Sequence, residues 1–383
     1  MAGPAGPACA PVTCPGACTY SAPMPVSTTL RQELRFTHVA SGARIAWARS
    51  GHGPPLLRAG HWMTHVEYDC ESALFRPWIE RLGRGVTLYR YDERGCGLSG
   101  ADGVPPGLES SVEEIGAVLD AAGLARAALL GISGGAAPSI AYAARNPGRV
   151  SHLVLLGGFS HGRLLRDISA AGRAYLEAQA QLIEGGWGVR DAPVQQFFSA
   201  SMIPDGTPAQ VAALNEQQRR SCDGRQAAAL FRSRLALDAR AELGSVRCPT
   251  LVLHAEGDAA VGVECGRELA AAIPDARFES LRTRNHVPLA GEPAFDRFCE
   301  AVTAFVGPGT GRAAGLQAQG LDFTPREREL LALVARGCDN LQIAAQLGLA
   351  DKTVRNALSR LYTRLAVDGR THAVVRAREL GFG

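Results

Sequence analysis

From Arg31 onward, apolar residues fall into short runs of strand type that alternate with longer runs at helical spacing. Residues 35–40 and 43–50 read as two strands around a Ser41-Gly42 turn, and 55–59 and 86–91 as buried strands. Residues 111–122 carry Ile115, Val118 and Leu119 on one helical face; 127–132 is an apolar strand, and a helix of small residues follows it through Arg145. A further strand is expected at 150–156. Residues 162–242 then change character: they are rich in Ala, Arg and Gln, helical in pattern, and without strand runs. Alternation resumes at 249–254, 262–272, 276–281 and 294–306. The pattern predicts an α/β fold built on a sheet, with a helical insertion. Residues 307–320 have flexible-linker composition, and 321–383 is helical throughout.

Composition narrows the class. A chain of 383 residues, 46% hydrophobic and 20% charged, is globular in composition and long enough for more than one domain. The expected division is a disordered tail at 1–28, an α/β domain at 29–306, the linker, and a small helical domain at 321–383. A formal net charge of +3 excludes a uniformly basic nucleic-acid coat, but the charge is unevenly placed. Residues 321–383 hold 10 basic and 7 acidic side chains, so the excess sits there and the remainder balances at zero. Lys352, in that segment, is the only lysine among 40 basic residues.

The 10 cysteines are scattered, with no C-x-x-C pair. Cys9, Cys14 and Cys18 lie in the Pro/Gly/Ala-rich tail without a histidine near them, so neither a disulfide framework nor a metal site is expected. The tail lacks charge and an apolar signal core, and no apolar run approaches the length of a membrane span. A cytoplasmic location with no membrane partner is therefore expected. Met24 opens the more protein-like stretch and is an alternative start.

One motif carries chemistry in the first domain. Gly131-Ile132-Ser133-Gly134-Gly135 is G-x-S-x-G, set between a strong strand and a helix. A sharp strand-to-helix turn needs small residues and lifts the serine oxygen clear of the sheet, over a helix N-terminus that favours an oxyanion. A structural glycine turn is the bland alternative. A serine nucleophile needs a base, itself oriented by an acid. Asp258 follows the strand at 249–254, and His286 is the only one of nine histidines in the loop after the last strand.

Residues 30–305 thereby resemble the α/β-hydrolase superfamily. Tyr91-Asp92-Glu93-Arg94-Gly95-Cys96-Gly97-Leu98-Ser99 is similar to that family's D-x-R-G-x-G-x-S loop, and 162–242 matches its helical cap. The resemblance implies Ser133 as nucleophile, His286 as base and Asp258 as its partner, with Gly134 N–H as one oxyanion donor. The family's second donor follows a His-Gly pair. Here Ala59 precedes Gly60, and His61 N–H takes that place. A serine nucleophile points to ester, thioester, lactone or amide cleavage, with no cofactor and no metal. Trp62, Trp187, Phe197, Phe198 and Met202 are candidates for an apolar pocket under the cap, or for core.

The C-terminal segment has its own logic. Thr324-Pro325-Arg326-Glu327 is a capping box with proline at the first helical position, followed by Leu330, Leu333 and Val334 on one face. Asn340 can cap a second helix bearing Ile343, Ala344 and Leu347, which stops at Gly348. Asp351 can cap a third, with Val354, Leu358, Leu361 and Leu365 at helical spacing. A fourth is expected at 371–380. The opposite face of the third helix shows Lys352, Thr353, Arg355, Asn356, Ser359, Arg360, Thr363 and Arg364, with no carboxylate after Asp351. Solvated helix faces usually mix signs; these are donors suited to phosphates and base edges.

Residues 324–365 resemble the LuxR/FixJ-type helix-turn-helix family. That resemblance sets Arg355, Asn356 and Ser359 toward base edges and Lys352, Thr353 and Arg364 toward phosphates of double-stranded DNA. The family often has serine where Asp351 stands, and aspartate repels phosphate. Family members commonly dimerise through the fourth helix, here 369–380, which implies a homodimer on half-sites roughly 34–36 Å apart. The chain then reads as a transcriptional regulator whose hydrolase-like domain senses or turns over a small molecule. The alternative is a serine hydrolase in which DNA binding is secondary.

Overall fold

The computed structural model describes residues 31–187, 189, 193–307 and 324–365, together with positions 370, 373, 377 and 382. The tail, nearly all of the linker, most of the fourth C-terminal helix and the Arg364 side chain lie outside them.

The described residues form one sheet from β1 (Glu33–His38), β2 (Arg44–Gly51), β3 (Pro55–Arg58), β4 (Thr87–Tyr91), β5 (Ala127–Ile132), β6 (Val150–Leu156), β7 (Thr250–Ala255) and β8 (Arg277–Leu281). Their spatial order is β1-β2-β4-β3-β5-β6-β7-β8. The β1/β2 and β2/β4 pairs are antiparallel and all others parallel. Every residue of β5 and of β7 is buried, because helices cover both faces of a parallel sheet and leave no polar side for alternation to mark. Those helices are α1 (Arg76–Leu82), α2 (Leu108–Ala121) and α3 (Ala136–Arg145), and, after the insertion, α8 (Val263–Ala272) and α9 (Pro293–Val306). The insertion between β6 and β7 holds α4 (Ala170–Gly186), α5 (Pro193–Met202), α6 (Pro208–Ser221) and α7 (Gly224–Ala236).

The sequence pattern gives no sign of α1. It is a short helix started by proline near its N-terminus, and its apolar residues Trp78, Ile79 and Leu82 make too short a stripe for periodicity to register. Packing holds it: the Trp78 and Phe298 ring centroids lie 4.5 Å apart, and Trp78 Nε1 donates to Pro288 O at 3.0 Å.

The C-terminal segment contains α10 (Pro325–Ala335), α11 (Asn340–Leu347) and α12 (Asp351–Leu365) around a separate core of Leu330, Leu333, Val334, Ile343, Val354, Leu358 and Leu361. The Thr324 capping box forms as expected, with Glu327 N–H donating to Thr324 Oγ1 at 3.3 Å and Thr324 N–H to Glu327 Oε2 at 2.8 Å. Gly348 closes α11 in the left-handed conformation, φ +62°. Two caps differ from expectation. Asp339, not Asn340, caps α11: its carboxylate accepts from Gln342 N–H at 2.8 Å, leaving Asn340 Oδ1 to accept from Arg370 Nη1 at 2.7 Å. Ala350, not Asp351, precedes the first turn of α12, since its carbonyl accepts from Val354 N–H at 3.1 Å. Asp351 instead pairs with Arg355 Nη2 at 2.7 Å.

Candidate active site and candidate DNA interface

The candidate triad is assembled at the carboxyl ends of three parallel strands, where open α/β sheets gather their sites. Ser133 follows β5 directly and adopts φ +49°, a left-handed conformation that costs a non-glycine residue energy. The motif glycines make the turn sterically feasible. A Cβ on Gly131 would lie 2.8 Å from Ser139 Oγ, and one on Gly135 would lie 2.6 Å from the Gly60 carbonyl oxygen. The elbow therefore packs directly on the Gly60-His61 loop, the two segments expected to supply oxyanion donors.

Asp258 follows β7. Its Oδ1 accepts from the N–H groups of Ala260 and Val261, each at 2.9 Å, and its Oδ2 lies 2.6 Å from His286 Nδ1. His254 Nε2 approaches the same oxygen at 3.5 Å. Burial opposes ionisation, but the His286 ring and these hydrogen bonds outweigh it and hold the Asp258 carboxyl below the usual carboxylate range. His286 is buried after β8, against Gly157, where φ is +56° and a Cβ would come within 2.9 Å of His286 Cε1. Its Nε2 is buried and has no hydrogen-bond partner among the described residues. The Ser133–His286 hydrogen bond is thus not made in this conformation, although both residues line one cavity. Such bonds often tighten only with substrate.

That cavity measures about 640 Å³, within the range of small-molecule sites. Of the residues left open between pocket and core, Trp62, Phe197, Phe198 and Met202 line it. Trp187 does not: it is fully buried, meets Trp62 edge-on at 5.9 Å and donates from Nε1 to Gln218 O at 2.9 Å, as a core residue of the insertion. The His61 side chain also lines the cavity, and burial, with the nearby Arg58 charge, keeps its ring uncharged.

Sequence reasoning missed Arg234. This α7 residue lines the cavity, is 6% exposed, pairs with Glu93 and donates from Nε to His61 O at 3.4 Å. Burial pushes its guanidinium down to about 10. A signal was present. Arg234 stands on the same helical face as the buried Ala227 and Leu230, where a solvated arginine would not be.

On α12, Lys352, Thr353, Arg355, Asn356, Ser359 and Arg360 are all exposed, while Val354 and Leu358 are buried on the opposite side. These six side chains of the expected face thus lie on the side of α12 away from Val354 and Leu358. Among the described residues there is no cluster of metal-ligating side chains, and no helix is long and apolar enough to cross a membrane.

Comparison with known proteins agrees with both halves. Residues 72–290 match the family model described as serine aminopeptidase, S33, and residues 321–377 match the luxR family of bacterial regulatory proteins. RutD of Azorhizobium caulinodans, whose name proposes a carbamate hydrolase, is 29% identical over 247 residues, 62% of this chain and 87% of that protein. The DNA-binding transcriptional activator DevR/DosR of Mycobacterium tuberculosis is 48% identical over 58 residues, 15% of this chain and 27% of that protein. The esterase RhEst1 from Rhodococcus sp. ECU1013 superposes with a TM-score of 0.58 at 26% identity, covering 71% of this chain and 98% of that structure. With more than half of its length matched, the chain belongs to the serine aminopeptidase S33 family of α/β-hydrolase fold, and it carries a luxR-type DNA-binding domain in the same polypeptide.

Proposed function

We propose that the chain is a transcriptional regulator that binds double-stranded DNA through α12 and uses its hydrolase domain to bind, and turn over, a small ester, lactone or related acyl compound. One observation carries this reading: a luxR-type domain with an exposed cationic helix face shares the polypeptide with an Asp258–His286 pair and Ser133 at one cavity. It acts in the cytoplasm, as a homodimer on paired half-sites. Arg355, Asn356 and Ser359 read base edges, and Lys352, Thr353 and Arg364 hold phosphates.

In the hydrolytic step, Ser133 Oγ attacks the acyl carbon as His286 Nε2 takes its proton. Asp258 fixes the His286 tautomer and stabilises the imidazolium. The N–H groups of Gly134 and His61 receive the oxyanion. His286 then protonates the leaving group, and water repeats the sequence to release the acid. The carboxylate partner, the free Nε2 and the strained elbow support a working nucleophile over a vestigial one.

The test pairs chromogenic esters with fluorophosphonate labelling of wild type and Ser133→Ala. Hydrolysis and labelling in wild type, both lost in Ser133→Ala, are expected. A wild-type Ser133 that never labels would overturn the hydrolytic half. Ser133→Ala protein that still regulates its target would place sensing in binding and not in turnover.

A further inference from the structure

Arg234 and Glu93 form a buried ion pair. The atoms left over, Arg234 Nη1 and Glu93 Oε2, are also buried and have no hydrogen-bond partner among the described residues, so the pair is closed on itself. Taking two charges out of water is expensive, and apolar residues of similar volume often serve stability as well or better. Stability alone therefore does not account for the pair, and its surroundings supply another role.

Each member backs one of the two proposed oxyanion donors. Arg234, on α7 of the insertion, packs on the nucleophile elbow: a Cβ on Gly134 would clash with Arg234 Cδ and lie 2.8 Å from Nε. Glu93, just after β4, packs on the other donor loop: a Cβ on Gly60 would clash with Glu93 Cγ and lie 2.9 Å from its Cδ. Glu93 N–H donates to Thr64 Oγ1 at 2.9 Å, and Arg234 Nε donates to His61 O at 3.4 Å. The loop is thus held at Gly60, before the His61 N–H, and at His61 O, after it.

Oxyanion donors work by being aimed in advance at the place where charge develops, and small displacements are expensive. We infer that Arg234 and Glu93 are positioning residues for the oxyanion site, clamping the Gly60-His61 loop and the Gly134 elbow so that both N–H groups point at one oxygen. Neither takes part in bond making. Because Arg234 comes from α7, the insertion sets the oxyanion site as well as lining the cavity. The inference rests on the hydrolytic reading of Ser133.

The experiment uses the full-length protein and a phenethyl trifluoromethyl ketone isotopically enriched at its carbonyl carbon. Ser133 Oγ adds to that carbon, its proton passes to His286 Nε2, and the carbonyl π pair becomes the hemiketal oxyanion. The carbon's NMR shift, followed with pH, reads how strongly the donors stabilise that charge, which a merely structural role would not move. Glu93→Leu/Arg234→Met removes both charges at similar volume and leaves neither partner unpaired. In it the oxyanion should protonate about one to two pH units higher, and kcat for a chromogenic ester should fall roughly 10–100-fold with KM little changed. Arg234→Lys keeps the charges but lacks the Nε donor and the planar fork, and it should move both quantities the same way by less. Hemiketal ionisation and kcat that match wild type in the double variant, or in Arg234→Lys should the double variant not fold, overturn the inference and leave the hydrolytic reading standing. If wild type forms no hemiketal, that reading fails and the inference falls with it.

Discussion

The backbone N–H of His286 donates to the carbonyl oxygen of Met202 at 2.8 Å, so the loop bearing the candidate base is tied to the helical insertion and not to the sheet alone. Beside it, Asp205 N–H donates to Asn285 Oδ1 at 3.0 Å. The insertion both lines the cavity and holds the loop of His286. Asn285→Ala should therefore lower kcat/KM for a chromogenic ester by about tenfold, because small displacements of a catalytic group are expensive. Its melting temperature should fall by only a few degrees, and a parallel loss of both quantities in thermal denaturation would reduce Asn285 to a stability role.

A buried charged cluster gives a stability prediction. Asp69 Oδ2 accepts from Arg58 Nη2 at 2.6 Å and Arg90 Nη1 at 2.8 Å, and Oδ1 accepts from Gln217 Nε2 of the insertion at 3.2 Å. Asp69→Asn removes the carboxylate charge to which both buried guanidinium groups are hydrogen-bonded. A loss of about 3–5 kcal/mol in urea unfolding at constant m is expected.

Two buried carboxyls give the pH dependence. Burial pushes Glu114 up to about 8 and Asp92 up to about 7, against ordinary values of 4.5 and 3.8. The folded state thus keeps protons that the unfolded chain releases. Their contribution is full below about pH 4 and is lost as pH rises through 7 to 8. Glu114→Gln removes one of them. The variant should compare better with wild type at pH 9 than at pH 6 in melting temperature. A difference that does not change with pH would contradict the raised value.

Much of this was legible in the sequence, and the misses have physical reasons. The strands at 127–132 and 150–156 were read to their ends because fully buried parallel strands are continuous apolar runs. The G-x-S-x-G turn and the order Ser133, Asp258, His286 single out three residues at strand ends, of which Asp258 and His286 are hydrogen-bonded and Ser133 and His286 line one cavity. Adjacent Asp339 and Asn340 can both cap α11 and periodicity does not choose between neighbours, while Ala350 before α12 has no capping side chain for the sequence to show. Trp187 was indistinguishable from Trp62 by type, and only packing separates the core ring from the cavity ring. Arg234 was masked by a segment crowded with arginines. Its partner Glu93 lies far away in sequence, a relation that no local pattern encodes.

On α12, Asp351 pairs with Arg355 at the start of the exposed face, the arginine largely in solvent and the aspartate half-buried. The pair contributes little to stability, and it sets a carboxylate at the edge of the proposed phosphate-binding face. Asp351→Ser should tighten DNA binding roughly two- to fivefold at low salt, with the gain shrinking as salt rises. Lys352→Ala should weaken binding to all sequences, whereas Arg355→Ala should relax sequence preference. Fluorescence anisotropy on matched and scrambled duplexes distinguishes these outcomes.

The most direct test of the central claim is a titration of the full-length protein against the genomic fragment it enriches from a fragment library. Binding is followed across salt concentrations, with Ser133 free and with Ser133 labelled by a fluorophosphonate. The account predicts sequence-selective binding whose affinity falls steeply with salt, and a shift in affinity on labelling that Ser133→Ala does not show. Binding that is absent or indifferent to sequence, or an affinity that labelling leaves untouched, would contradict a regulator governed from its hydrolase cavity.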